Sequence, residues 1–403
     1  MYKKTEDIII VGAGLTGLAF CNLLKDTKIK LTLLDIQSKT LYKSFKNERH
    51  IVLSNSSKSI LESIGLWKEI IKYCSKVKNI HISKKSIFGS TVVKSVDENL
   101  ESLGYQVPVK ILMKILYSNI ENENNINIIH GAQAISVEKG KEINVNYQHE
   151  SNKKNLVSRA LIFSSGSKDK LLNNLFLEII QKDYKQNAIV CELLSNKYNS
   201  NTAYERFTDK GVMGVIPRKE NIWTLIYSTN KKESEAIENL DNTELKKYFQ
   251  NLMGKKCGKI SEINNIKIYP LKMRYYKNYT NKNICLLGDA AHTLHPIAAQ
   301  SFNLSLRDCT YLTEIIKKNK IEEINNFSKV FDSYQKDRTE EVERLIKFTD
   351  FLASFIHGGG FLKNNLISAS LLFMDMNKSL RINIIRYLLG VNFSQELISN
   401  LKK

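Results

Sequence analysis

The 403-residue sequence contains few prolines and no long uncharged apolar segment. With only 4 prolines, long proline-rich linkers between domains are excluded. The longest apolar stretches, around residues 8–20 and 365–375, are too short or too interrupted to span a bilayer, so any membrane contact is expected to be peripheral. The first predicted strand begins near Ile8, and we therefore expect no signal or transit peptide ahead of it.

Cysteine is also scarce, and none of the six cysteines forms a C-x-x-C pair. Several lie in apolar runs, as Cys285 does in the segment 284–287, which predicts buried, reduced thiols and fits a reducing cytoplasm. We find no metal-ligand spacing and no Ser–His–Asp arrangement, so neither a metal site nor a serine hydrolase is indicated.

Acidic residues are outnumbered, 41 against 60 lysines and arginines, which gives a formal net charge of +19. One interpretation is solvated lysines scattered over the surface, and another is attraction to an anionic membrane leaflet. Nucleic-acid binding is disfavoured because the lysines are dispersed and no zinc-finger spacing or RNA-binding aromatic signature is present. Hydrophobic residues make up 42% of the chain, so a packed globular protein is expected, and its length favours two or more lobes.

The order of predicted elements changes along the chain. Residues 7–35 predict a strand, a tight turn, a helix and a second strand, which is a parallel βαβ unit. From about 184 to 229 strands follow one another without helices, which predicts an antiparallel sheet in a second lobe. A buried strand at 283–287 then returns the chain to the first lobe, and helices dominate from about residue 300.

A glycine motif, Gly-Ala-Gly-Leu-Thr-Gly at 12–17, follows the first strand. Gly12 permits the sharp turn, Gly14 lets the backbone approach a pyrophosphate, and Gly17 lets the helix pack against the sheet. Asp35 ends the next strand near the spacing expected of a ribose-hydroxyl acceptor. The pattern indicates dinucleotide binding, but it does not separate FAD from NAD.

A second motif begins with Gly288 and Asp289, directly after the strand at 283–287, and it favours FAD. A carboxylate at a strand end can accept a ribitol or ribose hydroxyl, and NAD dehydrogenases have no such second element. The segment 298–303 then opens a helix whose N-terminus can stabilise negative charge on a reduced flavin ring.

Together these motifs resemble the FAD-dependent aromatic hydroxylases of the para-hydroxybenzoate hydroxylase fold and, within that fold, the ubiquinone-biosynthesis hydroxylase family. The resemblance covers almost the whole chain, and the order and spacing of its segments make it specific. Those segments are 49–54, 64–67, 80–83, 88–89, 184–188, 203–208, 269–271, 293–296 and 348–350.

The resemblance implies an α/β (α+β) fold with a Rossmann-type FAD-binding domain, an interleaved antiparallel-sheet substrate domain and a helical C-terminal region. The expected FAD-binding domain is discontinuous and comprises residues 1–75, 104–180 and 270–345. The substrate domain would comprise 76–103 and 181–269, and the C-terminal region 346–403.

It also implies FAD as cofactor, dioxygen as co-substrate and NAD(P)H as electron donor, with a flavin hydroperoxide hydroxylating the ring of a polyprenylated phenol or quinone precursor. His295 and Pro296 would lie beside the flavin ring and are the candidate catalytic residues. Arg49 can pair with the pyrophosphate as a charged donor. The predicted cofactor-binding residues are Gly12, Ala13, Gly14, Gly17, Asp35, Arg49, Gly288, Asp289, Ser301 and Asn303.

The chain departs from the family pattern at several positions. Ala299, Ser301 and Ser305 stand where the family usually has glycines, and Ser165 replaces the carboxylate of its Ala-Asp-Gly motif. Two alternatives therefore stay open: a scaffold subunit in a complex of ubiquinone-biosynthesis proteins, and a flavin reductase or dehydrogenase of the same fold. The expected location is the cytoplasm, where the basic surface and the apolar-rich tail could dock on the inner face of the membrane.

Overall fold

The computed structural model describes residues 5–40, 49–85, 90–176, 178–295, 300–319, 327–356 and 377. These residues form two eight-stranded β-sheets and one three-stranded sheet, with helices packed on them. The predicted α/β fold is confirmed.

The first sheet carries the glycine motif, and its strands run in the order β17-β18-β11-β1-β2-β8. Strands β8, β2, β1, β11 and β18 are parallel neighbours, while β9 and β10 continue from β11 as antiparallel strands. The strands are β1 (Thr5–Val11), β2 (Leu31–Asp35), β8 (Ile126–His130), β9 (Ala132–Lys139), β10 (Ile143–His149), β11 (Asn152–Phe163), β17 (Thr280–Asn281) and β18 (Ile284–Leu286).

Strand β1 lies in the middle of this sheet because its apolar run, Ile8 to Val11, can be covered on both faces. Ile9 pairs with Leu161 of β11, and Leu161 pairs in turn with Ile284 of β18. Since all three strands are parallel, their carboxyl ends meet at one edge of the sheet. The two sequence motifs, which are far apart in the chain, therefore begin at the same edge of the sheet, with only β11 between their strands.

The second sheet has the order β19-β16-β12-β15-β14-β13-β5-β6. It is antiparallel as predicted, except that β13 pairs with β5 in parallel. Its strands are β5 (Asn79–Lys84), β6 (Ser90–Lys94), β12 (Ile179–Ser195), β13 (Thr202–Phe207), β14 (Gly211–Pro217), β15 (Ile222–Asn230), β16 (Ile260–Tyr276) and β19 (His292–Thr293). One face packs on two helices and forms a separate core that includes Trp223, Tyr227 and Phe249.

The small third sheet, β3-β7-β4, consists of β3 (His50–Leu53), β4 (Ser75–Val77) and β7 (Gly104–Pro108). The helices are α1 (Leu15–Leu24), α2 (Asn55–Ser63), α3 (Trp67–Ile70), α4 (Val109–Ser118), α5 (Leu171–Leu175), α6 (Lys231–Glu238), α7 (Asn242–Met253), α8 (Ser301–Lys318) and α9 (Phe327–Ile356). Across the described part of the chain, no helix is both long and apolar enough to cross a membrane. The six cysteines are free, and five of them are buried, as predicted.

The domain boundaries stay a prediction. Strands β12 and β16 run continuously through the expected boundaries at 180/181 and 269/270. Both strands belong to the second sheet, so each of these boundaries falls within a continuous strand rather than in a linker.

Candidate cofactor-binding site

A cavity of about 1140 Å³ lies at the carboxyl edge of the first sheet and reaches the second sheet. Its walls come from the turn after β1, the ends of β2 and β11, strand β3, strand β9 and the first turn of α8. Ile216, Thr224 and Ile226 of the second sheet close the far side. The structure thus places both sequence motifs on one cavity.

The glycine turn is built by close backbone contacts. Gly12 has φ +105°, and a Cβ there would lie 2.7 Å from the backbone of Ser165. A Cβ at Gly17 would lie 2.1 Å from the carbonyl oxygen of Gly12, so α1 can approach β1 only through a glycine. Gly14 differs, because a Cβ there would meet no protein atom within 4 Å.

Gly14 is the N-cap of α1, and no side chain caps this helix end. The N–H groups of the first helical turn are therefore available to an anion in the cavity. Gly12, Ala13 and Gly14 line the cavity, whereas Gly17 contributes by packing behind them. This arrangement can hold a pyrophosphate.

Asp35 lies at the end of β2, is buried, and also lines the cavity. Burial raises the pKa of its carboxyl to about 6, although backbone hydrogen bonds from Gln37 and Ile36 oppose that rise. Arg49 lines the cavity as well and can place a cation beside an anionic ligand. A carboxylate and a guanidinium thus line the same cavity.

Asp289 follows β18 and lines the cavity from the other side of β11. The hydroxyl of Ser301 donates a hydrogen bond of 2.6 Å to Asp289 Oδ1. Gly288 has φ +63°, and a Cβ there would lie 2.5 Å from Thr16 Oγ1 in the first motif. The second motif is therefore fitted directly against α1.

A buried ionic network lies behind this second motif. His292 Nε2 lies 2.7 Å from Asp308 Oδ2, and Arg338 Nε donates to Asp308 Oδ1 at 2.8 Å. Although burial opposes ionisation, Arg338 and His292 hold the pKa of Asp308 below its ordinary value. The network fixes the loop after Asp289 to α8 and α9, which gives His292 a structural role.

The remaining predicted residues lie away from the cavity or outside the described residues. Asn303 is buried, accepts hydrogen bonds from Ser54 N (2.9 Å) and Ser57 Oγ (2.7 Å), and so ties α8 to the start of α2. His295 is buried at the edge of the second sheet, with Nε2 3.3 Å from Gln186 Oε1 and its ring against Tyr184. Pro296 lies outside the described residues.

Two polar features of the cavity were missed in the sequence. Ser165 donates a hydrogen bond of 2.6 Å to Asp169 Oδ2, and both residues line the cavity. Gln106 of β7 donates to Thr224 Oγ1 at 2.8 Å and so joins the third sheet to the second. The first pair lies within the single loop that follows β11, whereas the second depends on how two separate sheets meet.

These residues fit FAD. The space beside Gly14 is what a pyrophosphate would fill, the uncapped end of α1 supplies donors, and Asp35 and Asp289 supply hydroxyl acceptors within the same cavity. The hydroxyls of Ser301 and Ser305 bond to Asp289 and to the backbone of Ser301, so both serines are held by the protein.

Comparisons with known proteins agree with this geometry. A family model described as an FAD binding domain matches residues 5–349. The chain is 25% identical over 319 residues to the ubiquinone hydroxylase UbiM of Neisseria meningitidis, which covers 77% of this chain and 68% of that protein. It is 21% identical over 321 residues to the 3-demethoxyubiquinol 3-hydroxylase of Escherichia coli, covering 78% and 81%. The structure of the p-nitrophenol 4-monooxygenase PnpA from Pseudomonas putida superposes with a TM-score of 0.80 over 98% of each chain at 14% identity, which shows a shared fold.

Proposed function

This chain belongs to the FAD binding domain family and is an FAD-dependent monooxygenase, and from that premise we propose that it hydroxylates the ring of a polyprenylated phenol or quinone precursor in ubiquinone biosynthesis.

The observation that carries the proposal is the extent of the cavity. It runs from the glycine turn at Gly12 to Ile216 and Ile226 on the second sheet. A nucleotide held at the first end leaves a largely apolar wall at the second, where an aromatic ring with an isoprenoid tail can bury its surface. Thr224 and Gln106 add a polar pair to that wall.

Residues in different parts of the cavity would bind different parts of FAD. The α1 N-terminus and Arg49 would hold the pyrophosphate, Asp35 the adenosine ribose and Asp289 the ribitol side. When bound, FAD would supply dioxygen activation with electrons from NAD(P)H. The second sheet would cover the reacting ring and exclude water from it.

We also propose that the protein docks on a membrane and assembles with other ubiquinone-biosynthesis proteins. A polyprenylated substrate resides in the bilayer, and a net charge of +19 would attract an anionic leaflet. Binding to anionic vesicles that weakens as salt is raised would support the docking.

Purification and turnover test the function together. The protein should carry a flavin absorbance band, or regain one with added FAD, and should convert a prenylated phenol to a product with one added oxygen atom while consuming one dioxygen. A colourless protein that cannot be reconstituted would favour the scaffold alternative. NAD(P)H oxidation with no hydroxylated product from any prenylated phenol would favour a reductase.

A further inference from the structure

Glu205 of β13 faces the cavity side of the second sheet. Its neighbours point the other way: Tyr204 belongs to the core under the helices, and Arg206 Nε donates to Leu252 O of α7 at 2.6 Å. Because side chains alternate along a strand, Glu205 must lie on the opposite face. That face also carries the cavity-lining residues Ile216, Thr224 and Ile226.

A glycine gives the Glu205 carboxyl its position. Gly214 pairs with Glu205 on one side and with Ile226 on the other. A Cβ at Gly214 would lie 3.5 Å from Glu205 Oε2, so the carboxyl reaches over this glycine toward Ile226. The acid therefore lies one strand beyond the cavity lining, with no side chain between.

The Glu205 carboxyl forms no hydrogen bond or ion pair with any described residue. Burial raises its pKa to about 7, although its side chain keeps part of its surface accessible. The carboxyl of Glu205 is therefore an unpaired acid surrounded by protein, one strand away from the residues that line the cavity. Charged groups on this face of the other strands include Lys84 of β5, the ion pair between Glu192 and Arg218, and Lys267 of β16, which pairs with Val190.

We propose that Glu205 recognises the hydroxyl group of the substrate ring and accepts its proton. This inference rests on the proposed function. The phenolic O–H bond breaks, the proton moves to a Glu205 oxygen, and the electron pair stays on the phenol oxygen. The ring then carries more electron density at the carbons beside and opposite that oxygen, where an electrophilic oxygen atom is received.

The test is binding of 2-prenylphenol and of its methyl ether, which cannot donate a proton, to the FAD-loaded protein between pH 5 and 9. We expect the wild type to prefer the phenol by about tenfold above pH 7, because a charged acceptor strengthens the hydrogen bond. The preference should shrink below pH 7, as Glu205 takes up a proton. Glu205→Gln should make the preference independent of pH, and Glu205→Leu should abolish it while ether binding stays unchanged.

Glu238→Gln, on the exposed side of α6, is the matched control and should keep the wild-type profile. An undiminished, pH-dependent preference for the phenol in Glu205→Leu would overturn the role of Glu205 and leave the proposed substrate class standing. A wild-type protein that binds FAD but neither probe would overturn the substrate class and this inference together.

Discussion

Gly14→Val is expected to abolish FAD retention while the protein still folds. Gly14 has φ −71° and ψ −174°, which valine can adopt, and a Cβ there would meet no protein atom within 4 Å. The added isopropyl group therefore points into the space assigned to the pyrophosphate. Losing two backbone hydrogen bonds to a charged group, at about 1.5–3 kcal/mol each, would weaken FAD binding roughly a hundredfold to ten-thousandfold.

The assay is the ratio of flavin absorbance to protein absorbance after purification, followed by titration of the apoprotein with FAD. Gly140→Val, on the exposed hairpin between β9 and β10, is the control and should retain FAD. Gly17→Val should instead fail to fold, because its Cβ would lie 2.1 Å from the Gly12 carbonyl oxygen. Undiminished FAD in Gly14→Val would refute the placement of the cofactor.

Three further predictions follow from charged groups. FAD affinity should fall by up to about tenfold as the pH drops through 6, because Asp35 (pKa about 6) loses the charge that strengthens its hydroxyl bonds, and Asp35→Asn should flatten this dependence in FAD titrations. In the folded protein the pKa of Glu205 is about 7, which is above its ordinary value. The charged carboxylate therefore disfavours folding, and the free energy of unfolding should fall as the pH rises from about 4.5 to 7. In urea unfolding Glu205→Gln should match the wild type at pH 4 and exceed it at pH 8 by at most about 3 kcal/mol; equal stability at pH 8 would contradict this. Arg338→Met leaves Asp308 buried without its cation, so the free energy of unfolding should drop by about 3–5 kcal/mol, and an unchanged urea midpoint would count against the network.

The glycine turn and Asp35 could be predicted because their positions depend on residues that are close together in the sequence. A strand, three glycines and a helix within residues 8–24 determine the turn at Gly12, and the carboxylate at Asp35 follows from the next strand. Placing Asp289 beside them required the further assumption that a second buried strand at 284–286 joins the same sheet. The pairing of β11 with both β1 and β18 confirms that assumption.

The opposite wall could not be predicted, because it depends on pairings between distant segments. Residues 107–119 have helical periodicity, yet the strand that carries Gln106 extends to Pro108 and α4 begins only at Val109. The contact between Gln106 and Thr224 joins residues 118 positions apart. The orientation of Glu205 likewise follows from which face of β13 the helices cover.

Because the chain passes back and forth between the sheets, the protein cannot be divided into lobes that are expressed separately. Strand β5 comes early in the chain, yet it pairs with β13, and β18 of the first sheet follows every strand of the second sheet except β19. No contiguous piece of the gene therefore encodes a complete lobe, and either lobe expressed alone would expose unpaired strand edges. Such long-range pairing also favours slow folding. We expect limited proteolysis to destroy both lobes at once rather than release one intact.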